Sequence, residues 1–135
     1  MKVLETDHWC LLLPPEWDAE QDDDVVVIID SDEVGELSLT TLCKQAGDVE
    51  SGELRTMARE ESPEVNEWAD TTLGGFRGVT GRFNEDGTYI REWYIGAANV
   101  LIYITYICDD ENAEMDDSAV DELLDTLVLG DRDNP

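Results

Sequence analysis

The spacing of apolar positions changes several times along this chain, and each change marks a predicted element. Trp9 to Leu13 (WCLLL) reads as a short strand, stopped where Pro14 and Pro15 remove ladder donors. The acid-rich PPEWDAEQDDD that follows reads as a turn. Asp24 to Ile29 (DVVVII) is a continuous β-branched run, the pattern of a strand covered on both faces. After the turn DSDEVG, Gly35 to Leu42 alternates. Leu37, Leu39 and Thr41 lie on one side, and Glu36, Ser38, Thr40 and Leu42 on the other. That period of two predicts a strand antiparallel to its predecessor.

The period then becomes helical. Leu54, Met57 and Ala58 form a narrow apolar stripe, with Asp48 or Ser51 as the predicted cap and Pro63 as the stop. Such a helix should lie on a sheet rather than inside it. A weak strand over Val65 to Thr72 is broken by Gly74 and Gly75, and Phe76 to Phe83 resumes it. Asn84–Gly87 (NEDG) is a hairpin turn, Thr88 to Ile95 returns, Gly96–Asn99 (GAAN) turns again, and Val100 to Cys108 is the longest strand. Val120, Leu123, Leu124 and Leu127 make one face of a closing helix, with Ser118 as cap, Gly130 as terminator and a frayed tail, DRDNP. Hairpins between neighbours make the sheet antiparallel. The predicted class is therefore α+β, a meander of about six to seven strands between helices. It forms one domain over residues 1–135, with the core over residues 9–129 and the tail at 130–135.

Val100 to Ile107 is apolar or aromatic on both alternating faces, so both faces need cover. Pairing Ile95 with Val100 through GAAN sets Trp93 opposite Ile102 and Tyr89 opposite Tyr106, on a face assigned to the closing helix. Tyr94, Leu101, Tyr103, Thr105 and Ile107 share the other face. The Leu54–Ala58 helix should cover part of it and leave the rest as an open aromatic groove.

Composition adds one unusual number. The 135 residues carry 34 Asp and Glu against 8 Lys and Arg, a net charge of −26, and the only lysines are Lys2 and Lys44. Like-charge repulsion excludes nucleic acid and anionic membranes as partners. At 41% hydrophobic, the chain is not disordered. Two readings of the acidity stay open. The spread of acids over the whole chain favours adaptation to a salty cytoplasm, and a surface for a basic partner is the other. No apolar run approaches the roughly 18 residues of a spanning helix. The start MKVLETDHWCLLLPPEW carries acids where a secretory signal carries a basic region, so the expected location is cytoplasmic. Cys10, Cys43 and Cys108 sit beside apolar strand residues without C-x-x-C spacing and read as buried reduced thiols acting as small hydrophobes, with a pair meeting across strands as the alternative.

Three stretches carry a resemblance: LLLPPEW, then TTLGGFRG followed by REWYIGAANVLIYITYIC, and last VDELLDTLVL. Together they resemble the PsbP-like superfamily over Trp9 to Leu129. That superfamily includes the PsbP extrinsic subunit of photosystem II, a nuclear-import factor that binds the GTPase Ran, and many small bacterial domains. The resemblance implies an antiparallel sheet sandwiched between helices, and a binding or assembly role rather than catalysis. Its bacterial cytoplasmic members include chaperones of secretion effectors, which hold apolar segments on a sheet face. No family site motif is matched, so no functional residue is carried over.

Motifs for chemistry are sparse. His8, in ETDHW, has no evident orienting partner, and a Cys10–His8 nucleophile pair would need special geometry. DSDEVGELSLTT places Asp30, Asp32 and Gly35 at calcium-loop positions, but Val34 and Thr41 stand where oxygen ligands and a bidentate Glu belong. Loose cation binding at Asp22–Asp24 is the weaker alternative. GGFRG does not open a helix, so it is no phosphate loop. Gly74, Gly75, Gly78 and Gly81 suit turns, bulges or room for a bulky neighbour such as Trp93. Arg77, Arg82 and Arg91 fall on adjacent strands, where they either receive an anion or pair with surrounding acids.

The expectation is a non-catalytic cytoplasmic binding or adaptor module, with no cofactor and no metal, that holds a protein partner through Tyr94, Leu101, Tyr103 and Thr105 or through the sheet edge. A secretion-effector chaperone or a toxin-neutralising (immunity) protein is its concrete form. The alternatives are a small hydrolase or lyase using Arg82 or Arg91 with a buried carboxylate, and a structural domain of a salt-adapted cell.

Overall fold

The computed structural model describes residues 2–31, 33–113, 115 and 117–129, with every side chain among them except that of Ser51. These residues form ten strands, two α-helices and one 3-10 turn. In chain order they are β1 (Lys2–Glu5), β2 (Trp9–Leu13), β3 (Trp17–Asp22), β4 (Val25–Asp30), β5 (Gly35–Cys43), α1 (Ser51–Glu61), β6 (Ala69–Leu73), β7 (Phe76–Glu85), β8 (Thr88–Ala97), β9 (Val100–Asp109), the 3-10 turn (Asp110–Asn112), α2 (Asp117–Leu124) and β10 (Val128–Leu129). The main sheet has the order β3-β4-β5-β9-β8-β7-β6, and a second sheet has the order β1-β2-β10. Every pairing is antiparallel, so the α+β class holds.

β9 is the central strand of the main sheet. On its first face Val100, Ile102, Ile104, Tyr106 and Cys108 are buried. They pack with Trp93 and Ile95 of β8, Leu37 and Leu39 of β5, and Val26 and Ile28 of β4. The cover is double: α2 supplies Val120, Leu123 and Leu124, and β2 supplies Trp9, Leu11 and Leu13. Each such fully buried side chain contributes about 1.5–3 kcal/mol over its exposed state. The Trp9–Leu13 strand thus lies in a second layer that roofs the main sheet. Trp9 is anchored there by an Nε1–H bond to Thr41 Oγ1 at 2.8 Å. Among the described residues no helix is long and apolar enough to cross a membrane.

Several details correct the expectations. The acidic stretch after Pro15 is a strand, β3, and not a turn. Its Trp17 and Ala19 pack into the core while Asp18, Glu20 and Asp22 face out. The β8–β9 hairpin pairs Ala97 with Val100, so Trp93 faces Ile104 and Tyr89 faces Cys108. The tight turn uses Ala98 at φ +50°. This register differs from the expected one by two residues, and an even displacement leaves every side chain on its expected face.

Glu50, not Asp48 or Ser51, is the N-cap of α1. Its N–H donates to Glu53 Oε1 at 3.2 Å, and Lys44 Nζ reaches the same oxygen at 3.0 Å. That lysine bond, with the Glu50 bond behind it, holds the Glu53 carboxyl below its ordinary value. α1 stops at Glu61, and Ser62, before Pro63, has left the helical conformation at φ −130° and ψ 65°. α2 begins at Asp117, which puts Ser118 in the first turn rather than at the cap. The cap position 116, Gly130 and the tail 131–135 lie outside the described residues.

Gly74 turns β6 into β7 at φ +59°, and a Cβ there would collide with the Leu127 carbonyl. The Gly75 N–H donates to that same carbonyl at 2.9 Å. Gly81 makes room for a bulky neighbour, but the neighbours are Val65 and Trp68 rather than Trp93. They bring the segment between α1 and β6 down onto β7.

Candidate functional site

The second face of the main sheet is covered by α1 over one end of β7, β8 and β9. α1 lays Leu54 and Ala58 on Val79 of β7, Tyr94 of β8 and Leu101 of β9, with Val49, Met57 and Trp68 around them. Tyr94 and Leu101 are only 3% and 4% exposed, so these two expected partner contacts lie beneath the helix. The physical reason is the apolar stripe of α1, which has no other surface to bury against. Tyr103 and Thr105 are half-buried, at the border of the covered region.

At that border lies a small polar network. The Tyr103 hydroxyl donates to Glu92 Oε2 at 2.6 Å, and the Tyr94 hydroxyl and Ser62 Oγ share a bond of 3.0 Å. The Tyr94 and Tyr103 rings are 4.8 Å apart, and Trp68 meets Tyr94 edge-on at 5.6 Å. Burial, followed by the bond to Glu92, pushes the Tyr103 hydroxyl well above its ordinary pKa. Burial likewise raises Tyr94, against the lowering effect of Ser62. Glu92 is buried, and its Oε1 has no hydrogen-bond partner among the described residues. Sequence reading passed over Glu92. The available signal was a single acid in the strand run YIREWYIG, where its neighbours two residues away are Ile90 and Tyr94.

Beyond the border the face is open. Cross-strand register sets Phe83, Ile90, Ile107, Glu36, Ile29 and Asp18 side by side across six strands. The adjacent row runs Glu92, Thr105, Ser38, Val27 and Glu20. Ile107 is 41% exposed, and Phe83, Ile90, Ile29 and Val27 are half-buried and lie outside the cluster under α1. Glu36 of β5 interrupts the apolar row between Ile107 and Ile29, and Asp18 and Glu20 of β3 close its far end.

The three strand arginines do not form one site. Arg82 and Arg91 face each other across β7 and β8, on the α2 face. Arg91 is 5% exposed, and its guanidinium lies 4.6 Å from the Trp93 ring centre. It reaches Asp121 Oδ1 at 2.8 Å and Asp117 Oδ1 at 3.4 Å. Arg82 donates to the Tyr89 hydroxyl at 2.9 Å and reaches Asp117 Oδ2 at 3.4 Å. α2 therefore neutralises the pair, and these arginines hold the helix on the sheet. A cavity of about 390 Å³ beside them is walled by Thr71, Leu73, Thr80, Trp93, Asp121, Glu122 and Asp125. Arg77 is on the opposite face, in a cavity of about 450 Å³ with Gly52 and Arg55 of α1 and Asp70 and Thr72 of β6. Arg55 is ion-paired to Asp70, whereas Arg77 has no carboxylate partner among the described residues.

The remaining motifs find other uses. His8 lies against Cys43, with both ring nitrogens 3.5 Å from Sγ, and not against Cys10. Asp30 Oδ1 accepts the Val34 N–H at 3.2 Å, and Thr41 is taken by Trp9, so two of the calcium-loop positions serve the turn and the core. Asp32 lies outside the described residues. Among the described residues no three His, Cys, Asp or Glu side chains are grouped to hold a metal ion.

No protein-family model matches the chain, and no curated protein is similar to it in sequence. In structure it is similar to a protein of Bacteroides thetaiotaomicron VPI-5482. That match has a TM-score of 0.64 at 14% identity and covers 90% of this chain. The chain spans 45% of that protein's length, so the match shows a shared fold over part of a larger protein. The solution structure of cyanobacterial PsbP (CyanoP) from Synechocystis sp. PCC 6803 also aligns, over 92% of this chain and 88% of its own, at 14% identity and TM-score 0.48.

Proposed function

We propose that the protein is a non-catalytic binding module that holds a basic protein partner on the open part of its main sheet. One observation carries this reading: Phe83, Ile90 and Ile107 form an apolar row outside the cluster under α1, bordered on its β5 side by Glu36, with Ile29, Asp18 and Glu20 beyond. An apolar row bordered by acids selects a partner whose own apolar contact is bordered by Lys or Arg. A secretion effector awaiting export, or a toxin to be neutralised, is the kind of client such a surface serves.

The test uses the wild type and an Ile29→Glu/Ile107→Glu variant. Both sites face outward, so the variant should keep its circular-dichroism spectrum. The wild type should retain a basic protein from host extract. The purified partner should then bind the variant about tenfold or more weakly. Undiminished binding to the folded variant would sink the assignment of this face. The spread of acids favours a second reading, a structural domain adapted to salt, which the salt dependence of melting addresses.

A further inference from the structure

β6 is the outermost strand of the main sheet and pairs only with β7 among the described residues. Among the described residues no strand takes up the N–H and C=O groups on its outer side, ladder positions of the kind another strand can complete. The pleat divides its five side chains. Ala69, Thr71 and Leu73 stand opposite Thr80, Gly78 and Phe76, on the α2 face. Asp70 and Thr72 stand opposite Val79 and Arg77, on the α1 face.

A cavity abuts this edge on each face, and Thr71 and Thr72 line both. Their charges are opposite. The α1-side cavity, of about 450 Å³, holds Arg55 and Arg77 against the single acid Asp70. The α2-side cavity, of about 390 Å³, holds Asp121, Glu122 and Asp125 against the single cation Arg91, which Asp117 and Asp121 already engage. An added strand sends alternate side chains to opposite faces. A strand beside β6 would therefore place every second residue toward acids and the intervening ones toward arginines.

We propose that β6 is a docking edge for an extended segment of a partner protein, which joins the sheet as a further strand. The segment carries lysine or arginine at the positions facing α2 and aspartate or glutamate at the alternate positions facing α1. Its backbone completes the outer ladder of β6, and the two cavities read its alternation. A second copy of this chain is the poorer occupant. β6 offers the sequence ADTTL, with no cation for the acidic cavity, and two copies at −26 repel. The edge lies three strands from β9, so the inference is independent of the open-face reading.

The test is titration of the isotope-labelled full chain with a peptide of about eight residues alternating lysine and glutamate, followed by amide shifts. The alternating peptide should shift Ala69 to Leu73 and leave β3 and β4 unmoved. A peptide of the same composition in block order should bind about tenfold more weakly. Backbone N-methylation at every second residue should abolish binding with the protein unchanged. Arg77→Glu should weaken binding about three- to fivefold, while Ile107→Glu should not. Equal binding of the N-methylated peptide, shifts confined to other strands, or no binding at millimolar peptide would overturn the proposal. Self-association through β6, seen as concentration-dependent dimers, would overturn it in favour of a second copy.

Discussion

Arg91 shows how a cation is kept inside so acidic a chain. Its flat guanidinium stacks on Trp93 while its edge takes carboxylates from α2, so it is desolvated and paired at once. Tyr89 shares the cluster. Burial, followed by the charge of Asp117, pushes its hydroxyl up to about 12, against the opposing effect of Arg82 and Arg91. An unfolded tyrosine ionises near pH 10. Above about pH 10 the unfolded chain therefore sheds a proton that folded Tyr89 retains, and stability falls as pH climbs toward 12. Tyr94 and Tyr103 shift in the same direction and deepen the fall. The expected outcome is a urea midpoint that is steady below about pH 10 and drops above it, with a shallower drop in Tyr89→Phe. Equal slopes for the two proteins would remove Tyr89 from this linkage.

At the scale of elements, the segment between α1 and β6 decides how much of the sheet is closed. Val65 and Trp68 occupy the space a Gly81 side chain would need. Gly81→Val should therefore cost about 1–3 kcal/mol by overpacking, read as a lower urea midpoint. An unchanged midpoint would mean that this segment does not rest on β7. Much of the element pattern was legible. The β4, β5, β7, β8 and β9 strands and both helices follow from periods of two and 3.6, except that α2 ends at Leu124, so Leu127 lies beyond it and Val128–Leu129 form a strand. β3 was hidden because Asp18, Glu20 and Asp22 fill its wet face, and acids weigh toward turns in any composition-based reading. Its alternation, with Trp17 and Ala19 inward, was there to be seen. The candidate site was legible only as a face. Which part stays open depends on where α1 lands, and no local pattern encodes that. Nor could Asp117 and Asp121 be picked as the partners of Arg82 and Arg91 from among 34 acids.

For the whole molecule, charge is the dominant variable. With −26 spread over both sheets, the helices and the turns, repulsion opposes compaction everywhere. At 1 M salt the Debye length falls to about 3 Å, short enough to screen neighbouring surface acids. The melting temperature should rise from low salt to 1 M NaCl. A gain of about 2 kcal/mol would appear as roughly 6–8 °C. A flat profile would show that the acids are already spaced or paired well enough to need no screening. The second sheet bears on a different question, the order of events during synthesis. Its pairing joins Trp9 to Leu129 and Cys10 to Val128, so the roof is complete only once Leu129 has left the ribosome. Until then Trp93, Ile95, Ile102 and Ile104, among the most completely buried side chains of the finished molecule, are without their full lid. The nascent protein thus passes through a stage in which its stickiest surface is partly bare. The speed of that last docking step governs how much of it escapes aggregation.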